Sequence, residues 1–319
     1  MPVLIGSAKY LLHPVPHDTL TTIINASKPK LFDLSDAHCS GYAVQLTVDL
    51  KKEHKLGKAG GFKTAHPAVI HVDQQTLKDI GPDSILSHPN VAAKRCFFRQ
   101  DSIVSGTYKT GIQRYAQKDE LPKMAVEANC IYWASALMDL VYSFIDKVLA
   151  SKELTDEDLA AQGLTIPRMR FVHAALAVPV DDQVAPIYLL EELIREPFIK
   201  FIVNNSVEPS AAVASNKEHY NIALFLCCAQ HVQYVTTGKM AMVSDFQGNR
   251  TLLTDPQIMT TQQFAFNFAD GNLPRILNQF ATSHKCNKFC KLLDLTDLQE
   301  DMGAGANEDL QASKESSSE

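Results

Sequence analysis

Three soft or borderline metal ligands stand close together in His284-Lys285-Cys286-Asn287-Lys288-Phe289-Cys290. On a helix, residues four apart share a face, so Cys286 and Cys290 can reach one ion while His284 joins from the preceding turn. A tetrahedral zinc site needs a fourth ligand from elsewhere. His231, in Ala229-Gln230-His231-Val232-Gln233-Tyr234, is the leading candidate, with Cys227 and Cys228 as rivals one turn earlier. Small buried cysteines in an ordinary core would leave the same trace.

A second group is acidic. Val243-Ser244-Asp245-Phe246-Gln247-Gly248 and Leu253-Thr254-Asp255-Pro256-Gln257 set two carboxylates and an amide near the ends of short apolar runs. Oxygen donors of this kind hold magnesium together with substrate phosphates. Taken singly, Asp245 and Asp255 also suit turns, Asp before Pro being a favoured turn starter.

In the first half, the glycine loop Leu56-Gly57-Lys58-Ala59-Gly60-Gly61-Phe62-Lys63-Thr64-Ala65 offers backbone NH groups that could cradle phosphate oxygens. It is neither a Walker loop nor a dinucleotide fingerprint, and a flexible hairpin would carry the same glycines. Lys94 sits in the apolar run Val91-Ala92-Ala93-Lys94-Arg95-Cys96, where an ammonium needs an anionic partner. A nucleotide phosphate would serve, and so would a carboxylate such as Glu127. An outward-facing lysine is the plain alternative.

The elements that must position these groups are legible in outline. Tyr42 to Val48 alternates as a half-buried strand, and Val69 to Val72 and Val91 to Phe98 read as further strands. Leu121 to Leu149 carries apolar residues at helical spacing and predicts a long helix. Strands follow at Arg170 to Val178 and Ile187 to Leu190, then a helix at Glu218 to Val235 and a strand at Met240 to Ser244. Residues 1–30 show no clear period and read as an extension. Residues 299–319 are rich in Glu, Asp, Gly, Ser and Gln, with little to bury, and read as a disordered tail.

The chain has 319 residues, 45% hydrophobic and 21% charged, enough for a sizeable core. A net charge of −6 disfavours nucleic acid as a partner, and the sequence lacks both a membrane-spanning run and a signal-peptide layout. Seven scattered cysteines do not read as a secreted disulfide framework. The expectation is an intracellular, cytoplasmic protein. A zinc knuckle for nucleic acid would want basic and aromatic residues interleaved around the cysteines, and Lys285, Lys288, Phe289 and Lys291 supply little of that.

In chain order the motifs resemble the alpha-kinase family of atypical protein kinases over about Ser40 to Leu295. The resemblance rests on Gly60-Gly61-Phe62-Lys63-Thr64-Ala65, on Lys94, on Glu191 with Phe198-Ile199-Lys200-Phe201 and Asn204-Asn205, and on Asp245-Phe246-Gln247-Gly248. It continues through Leu253-Thr254-Asp255-Pro256, Phe268-Ala269-Asp270-Gly271-Asn272-Leu273 and the His-x-Cys-Asn-x-x-Cys block ending at Cys290. In Phe62-Lys63-Thr64-Ala65-His66-Pro67 and Gln230-His231-Val232-Gln233-Tyr234 the chain is similar to the alpha-kinase domains found in fungi.

The resemblance implies a two-lobed α+β kinase-like fold. The N-terminal lobe, 31–190, would be mainly antiparallel sheet plus a long helix, and the mixed α/β lobe, 191–298, would hold a structural zinc site. The implied activity is transfer of the γ-phosphoryl group of ATP to a serine or threonine hydroxyl of a protein substrate, with Mg²⁺ and structural Zn²⁺. Gly60, Gly61, Lys63 and Lys94 would face the nucleotide phosphates, and Glu191 the adenine-side hinge. Asp245 and Gln247 would bind magnesium, and Asp255 would act as base, metal ligand or both. Lys94, Asp245 and Asp255 thus form the implied catalytic set, with Asn272 holding an anion near the substrate. His231, His284, Cys286 and Cys290 would be the zinc ligands. The runner-up is a pseudokinase, an interaction module that keeps the fold without the activity. The sequence departs from the family pattern at Pro274, Ala269, Lys63 and the missing glycine between Glu191 and Phe198.

Overall fold

A computed structural model describes residues 5–25, 30–35, 41–57, 61–73, 76–77, 84–104, 107–180, 185–195 and 197–298. The tail expected at 299–319 lies outside the described residues. In chain order, strand β1 (Ile5–Pro14) and helix α1 (Leu20–Ile24) precede β2 (Tyr42–Asp49), β3 (Lys63–His71) and β4 (Asn90–Cys96). A hairpin of β5 (Phe98–Val104) and β6 (Thr107–Gln113) leads to the long helix α2 (Gln117–Ser151) and the short α3 (Asp156–Ala161). Strands β7 (Arg170–Phe171), β8 (Ala174–Pro179), β9 (Tyr188–Glu192) and β10 (Ile199–Lys200) come next, then α4 (Lys217–Thr236). The chain continues through β11 (Ala241–Ser244), β12 (Gln247–Gly248), β13 (Leu252–Thr254) and β14 (Gln257–Thr260) to α5 (Pro274–Ser283) and α6 (Lys288–Leu292). Among the described residues no helix is long and apolar enough to cross a membrane.

Contacts divide the chain into two interleaved units. The first holds residues 1–135, 171–195 and 267–269, and the second holds 136–170, 196–266 and 270–319. The expected cut at Glu191 is linear, whereas one boundary of these units falls within α2 and another within β7.

The first unit is built on a closed antiparallel barrel in the order β1-β2-β3-β4-β9-β8, closed by β1 against β8. Alternation along each strand sends Val44, Leu46 and Val48 of β2, Ala68 and Ile70 of β3, and Val91 and Ala93 of β4 into one core. Tyr188 and Leu190 of β9 join them. The stretch read as an extension is thus in part a barrel strand. Its inward face holds Ala8, Tyr10 and Leu12, while Ser7 and Lys9 alternate with them, and so short a pattern gives little periodic signal. Tyr10 and Leu12 are nonetheless fully buried, because β1 has a partner on each side.

Helix α2 starts four residues before the expected Leu121. Ala116 accepts from the NH groups of Asp119 and Glu120 at 2.8 and 2.9 Å, and those two acids suit the positive end of the helix dipole.

The second unit packs α4 and α5 with β11 and β14 around Tyr234, Met242, Met259, Ile276, Leu277 and Phe280. Strand β11 pairs with β14 so that Ser244 faces Gln257. A small sheet of order β10-β12-β13-β7 pairs Lys200 with Gln247, and Gln247 with Thr254.

Candidate active site and metal centre

In the first unit, strand alternation decides the setting of Lys94. Ala93 and Leu190 point into the barrel core, so Lys94 on β4 and Glu191 on β9 share the opposite face. Both are buried there, with side chains 8% and 2% exposed, and the ammonium meets the Glu191 carboxylate at 2.6 Å. The outward-facing alternative is overturned, and so is Glu127 as the partner, since Glu127 is held by Lys63. Arg95 on the neighbouring face bonds Glu120, whose other carboxylate oxygen accepts from the Ile187 NH at 3.2 Å. Lys63 begins β3 and is not part of the glycine loop. Gly61 is exposed, and Gly60 lies outside the described residues.

In the second unit, two short strand pairs bring the acidic group together. Asp245 follows the last residue of β11, and Pro256 alone separates Asp255 from β14. Because Ser244 faces Gln257 across that pair, both residues stand at the same end of it. Both residues adopt left-handed backbone, φ 60° and 49°, a conformation Asp tolerates better than most side chains. Between them β12 and β13 form a tight hairpin in which Asn249 NH donates to the Leu252 carbonyl at 2.9 Å. Gly248 is required at this turn: its φ is 151°, and a Cβ there would lie 1.9 Å from the Leu252 carbonyl oxygen.

Lys200 on β10 completes the cluster. Its ammonium lies 2.5 Å from Asp245 Oδ1 and donates to Gln247 Oε1 at 3.0 Å. Residue type alone assigns Lys200 no role; its cross-strand register with Gln247 is what places it here. Two carboxylates and an amide oxygen fit a hard divalent ion, and Lys200 supplies the positive charge they need.

The second glycine segment is also ordered by local bonds. Asn204 Nδ2 donates to the Gly271 carbonyl at 3.0 Å. Asn272 accepts from Thr260 NH at 3.2 Å and donates to the Thr260 hydroxyl at 2.8 Å, so its amide orients the backbone. Pro274, a departure from the family pattern, opens α5, where its missing NH costs no helical bond.

His231 on α4, His284, Cys286 and Cys290 converge, all four ligand atoms lying within 4.8 Å of one another. Cys286 Sγ is 3.7 Å from His231 Nδ1, and Cys290 Sγ is 3.5 Å from His284 Nε2. Tetrahedral zinc, with bonds of about 2.3 Å to sulfur and about 2.05 Å to nitrogen, would separate S and N by about 3.6 Å. The donor set therefore fits zinc in chemistry and spacing. Two ring nitrogens, His231 Nε2 and His284 Nδ1, are buried without a hydrogen-bond partner. Hydrogen bonds from Cys228, then His231 and His284, hold the Cys290 thiol well below its usual range, toward the thiolate a metal binds. Burial, with the neighbouring Cys290, raises Cys286 to about 12.

The local structure differs from the single ligand-bearing helix expected. His284 caps the C-terminus of α5, Cys286 lies in the link, and only Cys290 is helical. Asn287 causes the break: its Oδ1 caps α6 by accepting from Phe289 NH at 2.9 Å, and its Nδ2 donates to the Leu224 carbonyl of α4 at 2.9 Å. Cys227 and Cys228 are buried outside the four-ligand group, and the Cys228 thiol, which is free, is hydrogen-bonded to Cys290.

The chain is similar to known proteins. Eukaryotic elongation factor 2 kinase of Caenorhabditis elegans is 31% identical over 121 residues, covering 38% of this chain and 14% of that protein. Myosin heavy chain kinase A of Dictyostelium discoideum is 37% identical over 97 residues, 28% of this chain and 8% of that protein. The alpha-kinase domain of myosin-II heavy chain kinase A, solved with AMP-PNP, superimposes with a TM-score of 0.54 at 18% identity, covering 92% of this chain and 98% of that domain. That likeness shows the α+β alpha-kinase fold. Residues 111–290, more than half of the sequence, match the family description, and the chain belongs to the alpha-kinase family.

Proposed function

We propose that this chain is an ATP- and Mg²⁺-dependent protein kinase that phosphorylates serine or threonine in a protein substrate. The observation that carries this reading is the placement of Asp245 and Gln247 against Lys200 in the second unit, with the Asp255 backbone next to Gln247. Phosphoryl transfer asks for charge neutralisation and a positioned hydroxyl more than for covalent chemistry by the protein. Magnesium, held by Asp245 and Gln247, would supply charge at the phosphates. Lys94, fixed by Glu191, offers its ammonium to the α and β phosphates, with Gly60, Gly61 and Lys63 as further phosphate contacts. Asp255 accepts the hydroxyl proton or shares the metal, and Asn272 shapes the substrate side. Glu191 acts through Lys94 in this reading, which draws on their ion pair, and the adenine-side hinge role is a separate proposal for the same residue.

His231, His284, Cys286 and Cys290 hold structural zinc in this reading. Four protein ligands leave no open position, so such an ion contributes folding energy and no step of the reaction. The lobes would meet in the chain at Glu191, with 31–190 and 191–298 as the functional halves.

The test is transfer of labelled γ-phosphate from ATP to a generic basic protein, read by phosphoamino-acid analysis. Transfer to serine or threonine that requires Mg²⁺ and is lost in Asp255→Asn supports the proposal. Nucleotide binding without transfer would instead identify a pseudokinase.

A further inference from the structure

Away from the residues assigned above, the first unit carries a second group of metal-ligand type. His88, His173 and Glu192 offer donor atoms that all lie within 4.8 Å of one another. The three are far apart in sequence. His88 follows the short 3-10 turn Ile85–Ser87, His173 lies between β7 and β8, and Glu192 ends β9.

Backbone bonds fix each segment. His88 NH donates to the Ile85 carbonyl at 3.0 Å, and the next residue, Pro89, gives its carbonyl to Ile70 NH at 2.8 Å. Glu192 NH donates to the His173 carbonyl at 3.0 Å, which joins the other two donors directly. The two imidazoles stack, with ring centroids 5.8 Å apart and planes inclined by 22°. The donors are therefore gathered before any ligand arrives, so little chain entropy opposes binding.

Two imidazole nitrogens and one carboxylate oxygen are a borderline donor set suited to zinc and its neighbours in the transition series, and unsuited to magnesium, which takes oxygen alone. With metal bonds of about 2.1 Å, tetrahedral ligand atoms sit about 3.4 Å apart, a separation that side-chain rotation reaches from the present spacing. Three protein ligands leave a fourth position for water. The ion would be held less tightly than one enclosed by four ligands with thiolates among them.

We propose that His88, His173 and Glu192 form a second, exchangeable divalent transition-metal site of zinc type on the barrel. Glu192 lies next to Glu191, and strand alternation sends the two carboxylates to opposite faces of β9. Occupancy therefore fixes the strand that carries the Lys94 partner without consuming that partner.

The test titrates Zn²⁺ and Co²⁺ into the purified full chain after dialysis against a mild chelator. The expected result is one tightly held ion and a second, weaker equivalent. The second Co²⁺ should give d–d absorption without a thiolate charge-transfer band, which separates it from any site containing Cys286 or Cys290. His88→Ala and Glu192→Gln should each weaken the second equivalent at least about tenfold and leave the thiolate band unchanged. A folded wild-type chain that binds cobalt only with a thiolate band would overturn the proposal. Retention of the weaker equivalent by both variants would overturn it equally. Absence of the thiolate band with the second spectrum intact, in protein that elemental analysis shows to be free of zinc, would count against the Cys286 and Cys290 site alone.

Discussion

At the scale of single residues, the Lys94–Glu191 pair binds stability and activity together. Removing an ammonium buried against a carboxylate takes a charge partner from that carboxylate, a loss that costs about 3–5 kcal/mol in buried pairs. Lys94→Ala is therefore expected to lower the melting temperature as well as activity, and Lys94→Met with Glu191→Leu to recover much of the stability but no activity. Calorimetry of the single and double variants checks this, and a Lys94→Ala protein that melts like wild type would show the pair to be incidental. Asp255→Asn keeps the size and shape of the side chain and should leave the protein folded, while phosphotransfer falls by at least about two orders of magnitude. Single-turnover assays beside a melting curve would distinguish this from misfolding. The types of these residues were legible in the sequence, but the partner of Lys94 was not. Glu127 and Glu191 are the same residue type, and only the register of β4 against β9 selects between them.

At the scale of elements, the acidic cluster depends on tight backbone approaches. Gly248→Ala would set a methyl group against the Leu252 carbonyl and force a strained backbone angle, so a destabilisation of roughly 1–3 kcal/mol is expected. Gly271→Ala meets Gln257 Oε1 at 1.8 Å, an end that can swing aside, so it should cost less stability and disturb the Asn204–Gly271–Asn272 segment more. Denaturant midpoints rank the two, and the reverse order would contradict the geometry. Element types were readable because periodicity is local, as the agreement at β2, α2 and α4 shows. The break between α5 and α6 was misread because spacing alone cannot tell one helix from two. The deciding Asn287 cap competes with helical continuation through a side-chain bond.

At the scale of the whole molecule, the two units rest on different foundations. The barrel core contains none of the four zinc-type ligands, whereas α4, α5 and α6 meet at them. Removal of zinc by a strong chelator should therefore expose amides of α4 to α6 while barrel strands keep their exchange protection. Because structural zinc can contribute about 10 kcal/mol of apparent binding energy, Cys290→Ser should yield largely insoluble protein. Hydrogen exchange by mass spectrometry reads the first effect and the soluble fraction reads the second; a zinc-free preparation with full protection would remove the staple. The sequence by itself determined the α+β composition, the family and the identities of the reactive side chains, because residue type and short-range period are written along the chain. Tertiary structure alone decided that residues 5–14 close a barrel, that Glu191 is the partner of Lys94, and that Lys200 sits against Asp245 and Gln247. Each of those facts depends on strand register and closure between distant segments, where a shift of one residue sends a side chain to the other face.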